Sequence, residues 1–191
     1  MQRQFWIVTL LTACAAAAAG CGDAVRQGTG PVLLVIDSMA ATAGGDGTGG
    51  SFLLSDVADD DGGTFNDTGT ATVRLLHKNP LLAPSSINAV TLRRYTVTYR
   101  RTDGRNTPGV DVPFPIEGAI TQTISGSGSV GFELVRHTQK QESPLVQMAN
   151  LRNPVLLSVI ADVTLFGRDQ AGNDVSTTGS IGITFGNFAG A

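Results

Sequence analysis

Two stretches near the C-terminus alternate apolar and more polar residues with a period of two. Leu157, Val159, Ala161, Val163 and Leu165 make the first, and Val175, Thr177, Ile181, Ile183 and Phe185 make the second. Thr178, Ser180 and Thr184 occupy the intervening parity. Successive side chains of a strand point to opposite faces, so this spacing buries one face and leaves the other open. A helix needs apolar residues every third or fourth position, and this pattern does not supply them. The linking Asp169-Gln170-Ala171-Gly172-Asn173 is rich in turn formers, and the two stretches read as a hairpin.

The same signal recurs upstream. Tyr95, Val97 and Tyr99 share one parity, and Arg94, Thr96, Thr98 and Arg100 the other. Ile116, Ile120 and Ile124 are expected to pair with Val130, Phe132 and Leu134 around Ser125-Gly126-Ser127-Gly128. Val32 to Ile36 and Val73 to His77 add two strands, and Phe52 to Val57 is an edge candidate. Seven or eight short strands joined by Gly, Pro, Asn and Asp predict an all-β fold, an antiparallel sandwich over residues 31–188. Only Ser143 to Leu151 reads as a helical turn.

The first twenty residues have a different character. Arg3 precedes an apolar run, Phe5 to Gly20, broken only by Thr9 and Thr12. A positive start, a short apolar core and small residues at its end make a secretory signal. The run is shorter than the roughly 20 apolar residues a spanning helix needs. It ends in Ala18-Ala19-Gly20-Cys21, which resembles the lipobox of bacterial lipoproteins, with Ala18 where those signals usually carry Leu. The resemblance implies cleavage before Cys21 and lipid on its thiol. Cysteine usage agrees: Cys14 lies inside the removed segment, and Cys21 is then the sole thiol of the mature chain, with no disulfide partner. Residues 1–20 are thus the signal peptide. Residues 21–30 form a lipidated flexible tether, spanning roughly 15–18 Å as a coil. By resemblance to lipoprotein sorting rules, Gly22 rather than Asp after the cysteine favours the outer over the inner membrane.

Removing Arg3 leaves 12 of the 13 basic side chains against 16 acidic ones, a balance unsuited to general nucleic-acid binding. The only tryptophan, Trp6, leaves with the signal, and Tyr95 and Tyr99 lie on a core stripe. A sugar-stacking face is therefore not expected.

The stretch Asp162-Val163-Thr164-Leu165-Phe166-Gly167-Arg168-Asp169-Gln170-Ala171-Gly172-Asn173 resembles the penultimate strand and turn of bacterial immunoglobulin-like and fibronectin type III-like domains. Tyr99 to Asp111, Tyr-Arg-Arg-Thr-Asp-Gly-Arg-Asn-Thr-Pro-Gly-Val-Asp, resembles a stretch shared by a group of bacterial lipoproteins. These likenesses imply an immunoglobulin-like sandwich in the envelope, and no particular activity. The chain lacks the cysteine pair and core tryptophan of antibody-type domains.

Several clusters are candidate sites. Asp59, Asp61 and Asp67, with Asp56 and Asp60, offer hard oxygen ligands for calcium, but their spacing departs from the helix–loop–helix calcium pattern. Arg94, Arg100 and Arg105, with Arg93 and Arg101, could bind an anionic glycan, phosphate or lipid headgroup. Gly45 to Gly50 and Gly126 to Gly131 match Gly-x-Gly-x-x-Gly, yet no helical pattern follows either, as a dinucleotide site requires. His77 and His137 end separate strands, no Gly-x-Ser-x-Gly elbow exists, and Glu117 and Glu133 are the carboxylates best placed to face one another. No catalytic set and no cofactor are expected. The reading that follows is a lipid-anchored envelope protein with a structural or protein-binding role. Binding of an anionic envelope component by the arginine strand stands second, and hydrolysis third.

Lipidation yields a direct expectation. Cys21→Ser should abolish membrane association, because stable anchoring takes two or more acyl chains and all would be lost. Fractionation checks this; wild-type recovery of Cys21→Ser in membranes would refute the anchor.

Overall fold

The structure, a computed structural model, describes residues 30–45, 47, 49–58, 62–81, 85–149 and 155–188. The expected signal sequence, Cys21, Asp59 and Asp61 lie outside these residues. Nine strands occur among the described residues: β1 (Val32–Thr42), β2 (Gly49–Gly50), β3 (Phe52–Asp56), β4 (Asp67–His77), β5 (Val90–Arg100), β6 (Ile116–Ile124), β7 (Ser127–Val135), β8 (Leu157–Asp169) and β9 (Asp174–Gly186). They form two packed sheets, ordered β2-β1-β4-β7 and β3-β9-β8-β5-β6. The sandwich expected from the alternation is therefore present. The strand beyond the expected seven or eight is β2, whose two glycines carry no apolar signal.

The C-terminal hairpin has the register its periodicity dictates. Val163 pairs with Gly179 and Val159 with Ile183, so Leu157, Val159, Ala161, Val163 and Leu165 all face the second sheet. Val175, Ile181, Ile183 and Phe185 face it from β9. From the four-stranded sheet, Val32, Leu34, Ala71, Val73, Val130, Phe132 and Leu134 complete the core. Each fully buried aliphatic or aromatic side chain contributes about 1.5–3 kcal/mol relative to exposure, so this shared interior holds the sheets together.

Two expectations are corrected. Ile116–Ile124 and Ser127–Val135 do not pair as a hairpin: β6 bonds β5, and β7 bonds β4 in the opposite sheet. Near Ser125-Gly126 the two strands are close, and the Gln122 side chain donates to the Ser129 carbonyl at 2.8 Å in place of a backbone ladder. They then diverge. Alternation shows which face of a strand is apolar but not which neighbour it bonds, and both assignments bury the same residues. The sheets are also not wholly antiparallel, because β3 runs parallel to β9, with Leu53 opposite Ile183.

Strand β5 carries a bulge. Its register against both β6 and β8 shifts between Leu92 and Arg94. Val90 and Leu92 point inward at even positions, Tyr95, Val97 and Tyr99 at odd ones, and the extra residue Arg93 absorbs the change of parity. Among the described residues helical structure is confined to short turns, His137–Lys140 (α1), Ser86–Asn88 and Leu145–Gln147. The last lies within the stretch expected to be helical, while α1 was not foreseen.

The register can be checked by substitution. Val163→Asp or Ile183→Asp would bury an unpaired carboxylate and should cost on the order of 3 kcal/mol or more. Thr164 and Thr184 lie on the outer face and bond the Thr178 and Ser158 hydroxyls across the ladder. Thr164→Asp and Thr184→Asp should each cost about 1 kcal/mol or less. Urea denaturation compares the pairs, and equal losses at both parities would contradict the assignment of faces.

Candidate functional site

The outer face of the five-stranded sheet carries the arginines singled out by sequence. Arg94 Nη1 donates to Glu117 Oε1 at 2.8 Å across the β5–β6 ladder, and its guanidinium lies 3.8 Å from the centre of the Phe166 ring. Arg100 Nε donates to Asp162 Oδ2 at 2.6 Å, and Ser180 bonds the other oxygen. Arg101 and Arg105 converge on Asp103 in the turn after β5. The three candidates Arg94, Arg100 and Arg105 thus lie along one flank, each already holding a carboxylate. Hydrogen bonds from Arg101, reinforced by Arg105, hold the Asp103 carboxyl well below the usual range. Partial burial opposes charge on Asp162, but Arg100 and Ser180 outweigh it and keep that carboxyl low too. An incoming anion would have to displace these partners.

The histidines do not meet. His77 ends β4, whereas His137 donates its backbone N–H to Asn66, one residue before β4 begins. Eleven residues of strand separate the two positions, about 35 Å. Glu117 is engaged by Arg94, and Glu133 by Arg136 at 2.8 Å and by the Asn66 amide. Neither carboxylate is paired with the other. Among the described residues no group of three or more His, Cys, Asp or Glu could hold a metal ion.

Asp67 is placed far from solvent. Its Oδ1 accepts from Lys140 Nζ at 3.0 Å and from the Gly44 amide at 2.9 Å, and its Oδ2 accepts from Ser55 Oγ at 2.6 Å. The carboxylate is fully buried and the Lys140 side chain is 2 % exposed. An ammonium thus occupies the side of Asp67 that a cation would take. Beside this pair, the Tyr99 hydroxyl donates to the Leu134 carbonyl at 2.7 Å. Gln139 bonds Tyr99, the Arg136 amide and the Phe114 carbonyl. Burial pushes the Tyr99 phenol far above its ordinary range, so it remains a protonated donor.

Between β6 and β7, where the sheets part, lies a cleft of about 560 Å³. Tyr95 and Phe132 contribute their rings, 5.6 Å apart between centroids, and Arg136 and Glu133 stand at its side. Gly69 and Gly118 line it because nothing larger fits: a Cβ at either would come within 2.3 Å of a ring carbon of Phe132 or Tyr95. Sequence reasoning did not find this cleft. Its one signal is glycine inside otherwise alternating strands, which marks close approach of another group. The only charged side chains lining it, Glu133 and Arg136, bond each other.

The remaining feature is the edge strand β3. It bonds β9 along one side and ends its sheet. Phe52 is 58 % and Leu54 50 % exposed on the outer face, with Leu156 also exposed near the same corner. The other terminal strand of this sheet, β6, presents Glu117, Thr121 and Thr123 instead.

The sequence matches no family model and no curated protein.

The Asp67–Lys140 pair is testable. Lys140→Met should leave a buried, unpaired carboxylate and cost about 3–5 kcal/mol. Adding Asp67→Asn removes the charge, keeps one carbonyl oxygen to accept from the Gly44 amide and turns an NH2 donor toward the Ser55 hydroxyl, which can accept, and should recover more than half of that loss. Chemical denaturation of the single and double variants decides; additive losses would mean that the two groups do not interact.

Proposed function

We propose that the protein is a lipid-anchored, non-catalytic binding module of the bacterial envelope, outer membrane favoured, with an immunoglobulin-like sandwich that takes a protein partner along strand β3. The topology supports the immunoglobulin-like reading. β8 and β9 pair as the closing hairpin, β5 and β6 lie beside them, and the chain crosses between sheets after β2, β3, β4, β6 and β7. The strand reached by the first crossing, β3, runs parallel to the last strand and lies at the edge.

The observation that carries the reading is the state of that edge. A terminal strand offers unpaired backbone donors and acceptors, and natural proteins usually blunt such edges with charge or proline. β3 carries Phe52, Leu53, Leu54 and Ser55, with Asp56 only at its end. An extended segment added alongside would gain main-chain bonds from β3 and apolar contact from Phe52 and Leu54. Its five residues offer about 16 Å of ladder, enough for a short strand. The arginine flank supports the second reading, anion binding, less well, since Arg94, Arg100 and Arg105 are each paired with a carboxylate.

Site-specific photo-crosslinking in cells provides the test. A photoreactive phenylalanine analogue at Phe52 of the full chain should give a discrete adduct, and the same group at Thr72, on the outer face of the other sheet, should not. Leu54→Lys should weaken the adduct without unfolding the domain, because Leu54 is half exposed. No adduct at Phe52, or the same smear at both positions, would remove β3 as the docking edge.

A further inference from the structure

The two ends of the sandwich differ. At one end the Pro31 carbonyl accepts the Lys78 amide at 3.0 Å, β5 and β9 begin, and β8 turns back. Gly30 lies there too, since a Cβ on it would come 3.3 Å from the Asn173 side chain. The chain preceding β1 therefore meets the fold at this end. The loops following β5 and β7 lie at the other end, separated by the thirteen residues of β8, about 40 Å.

Four aliphatic side chains are exposed toward the first end. Leu33 and Leu76 are cross-strand partners on the outer face of the four-stranded sheet. Leu81 is 92 % exposed and Ile87 56 %. The backbone beneath them is held: the Leu81 amide donates to Asn79 Oδ1 at 3.0 Å. The Ser86–Asn88 turn is closed by the Asn88 amide to the Ser85 carbonyl and by Ser85 to the Asn88 side chain. Ile87 is thus presented outward on a fixed turn.

Charge divides the ends as well. The carboxylates at the first end are occupied, Asp169 by the Asn173 backbone and side-chain amides and Asp174 by Arg168, while Lys78 adds a positive charge. Asp56, Asp103, Asp111, Glu133 and Glu142 all fall at the other end and outnumber the Arg101, Arg105 and Arg136 that pair there with Asp103 and Glu133. Exposed apolar residues occur there too, including Val110 and Phe114, but among these acids. An anionic bilayer surface accepts aliphatic and cationic groups and repels carboxylates.

We propose that the end bearing Leu33, Leu76, Leu81 and Ile87 rests on the lipid bilayer, with Leu81 and Ile87 inserted at its interface, so that the sandwich stands upright with its acidic loops outward. This rests on the lipid anchor at Cys21. Nine residues separate Cys21 from Pro31, which even fully extended reach no more than about 35 Å. The first end is therefore held within that distance of the acyl chains, while the acidic end lies a further strand length away. The occupant of this apolar end is the membrane already covalently attached, rather than another protein.

Depth quenching tests the orientation. Once Cys21 is lipidated, an introduced cysteine is the only free thiol. Leu81→Cys, Ile87→Cys and, at the opposite end, Val110→Cys are made in the full-length protein, labelled with an environment-sensitive fluorophore and reconstituted into phosphatidylethanolamine–phosphatidylglycerol vesicles carrying a lipid-borne quencher. Vesicle flotation is measured first. Probes at Leu81 and Ile87 should lose about half or more of their emission, as groups buried 5–10 Å into the interface would, while the Val110 probe keeps its emission. Flotation with unquenched probes at Leu81 and Ile87, or with equal quenching at all three, overturns the seated orientation and leaves the anchor standing. Failure to float overturns the anchor, and this inference with it.

Discussion

The buried Asp67–Lys140 pair, with the groups that bond Asp67, ties four segments of the chain together at one point. Asp67 opens β4 in one sheet, Ser55 belongs to β3 in the other, Gly44 follows β1, and Lys140 ends the helical turn after β7. A carboxylate without solvent must find partners for both oxygens, and an ammonium must find acceptors. Together the groups satisfy most of that demand only when all four segments converge. The arrangement therefore ties β3 to β4 of the opposite sheet as well as closing one end of the core. Replacing the pair by apolar groups of similar volume need not destabilise the fold, but removing one member does. Its value lies in specifying which segments meet.

The placement of β3 bears on function through this constraint. β3 joins its own sheet by one ladder, is tied to the opposite sheet by the Ser55 bond to Asp67, and leaves Phe52 and Leu54 on a surface with an unpaired edge. The arginines on the same sheet do something different. Arg94, Arg100 and Arg168 each bridge neighbouring strands through a carboxylate, and such exposed pairs, screened by solvent, contribute little to stability. They make the outer face polar and soluble without leaving the concentrated positive field that an anion site would need. Where the low carboxyls of Asp103 and Asp162 contribute, the effect is present above the ordinary carboxylate range and fades as pH falls through their lowered values.

Polarity along the long axis organises the rest. The end where the chain enters exposes aliphatic groups with its acids occupied, and the opposite end gathers the long loops, the buried polar network and most carboxylates. Under the proposed lipid anchor, that gradient would separate a face turned toward lipid from a face turned away from it. Phe52 and Leu54, opposite Gly182 and Thr184 of β9, belong to the outward half.

The alternation at Leu157–Leu165 and Val175–Phe185 sufficed to settle the hairpin, its register and its buried face, because side-chain direction along a strand is local geometry. The core role of Tyr95 and Tyr99 was legible for the same reason. Three other features were not legible. Ile116–Ile124 and Ser127–Val135 went to different sheets, Asp67, a candidate calcium ligand by sequence, lies in a buried ion pair with a lysine 73 residues away, and the cleft appeared between strands distant in sequence. Each depends on which segments become neighbours in space. A strand's pattern fixes the face it buries, but its partner is chosen by loop lengths, by twist and by how all the strands together fill one core. Local pattern therefore determined the sandwich and its faces; tertiary packing alone decided the sheet order, the exposed edge β3 and the fate of each charge.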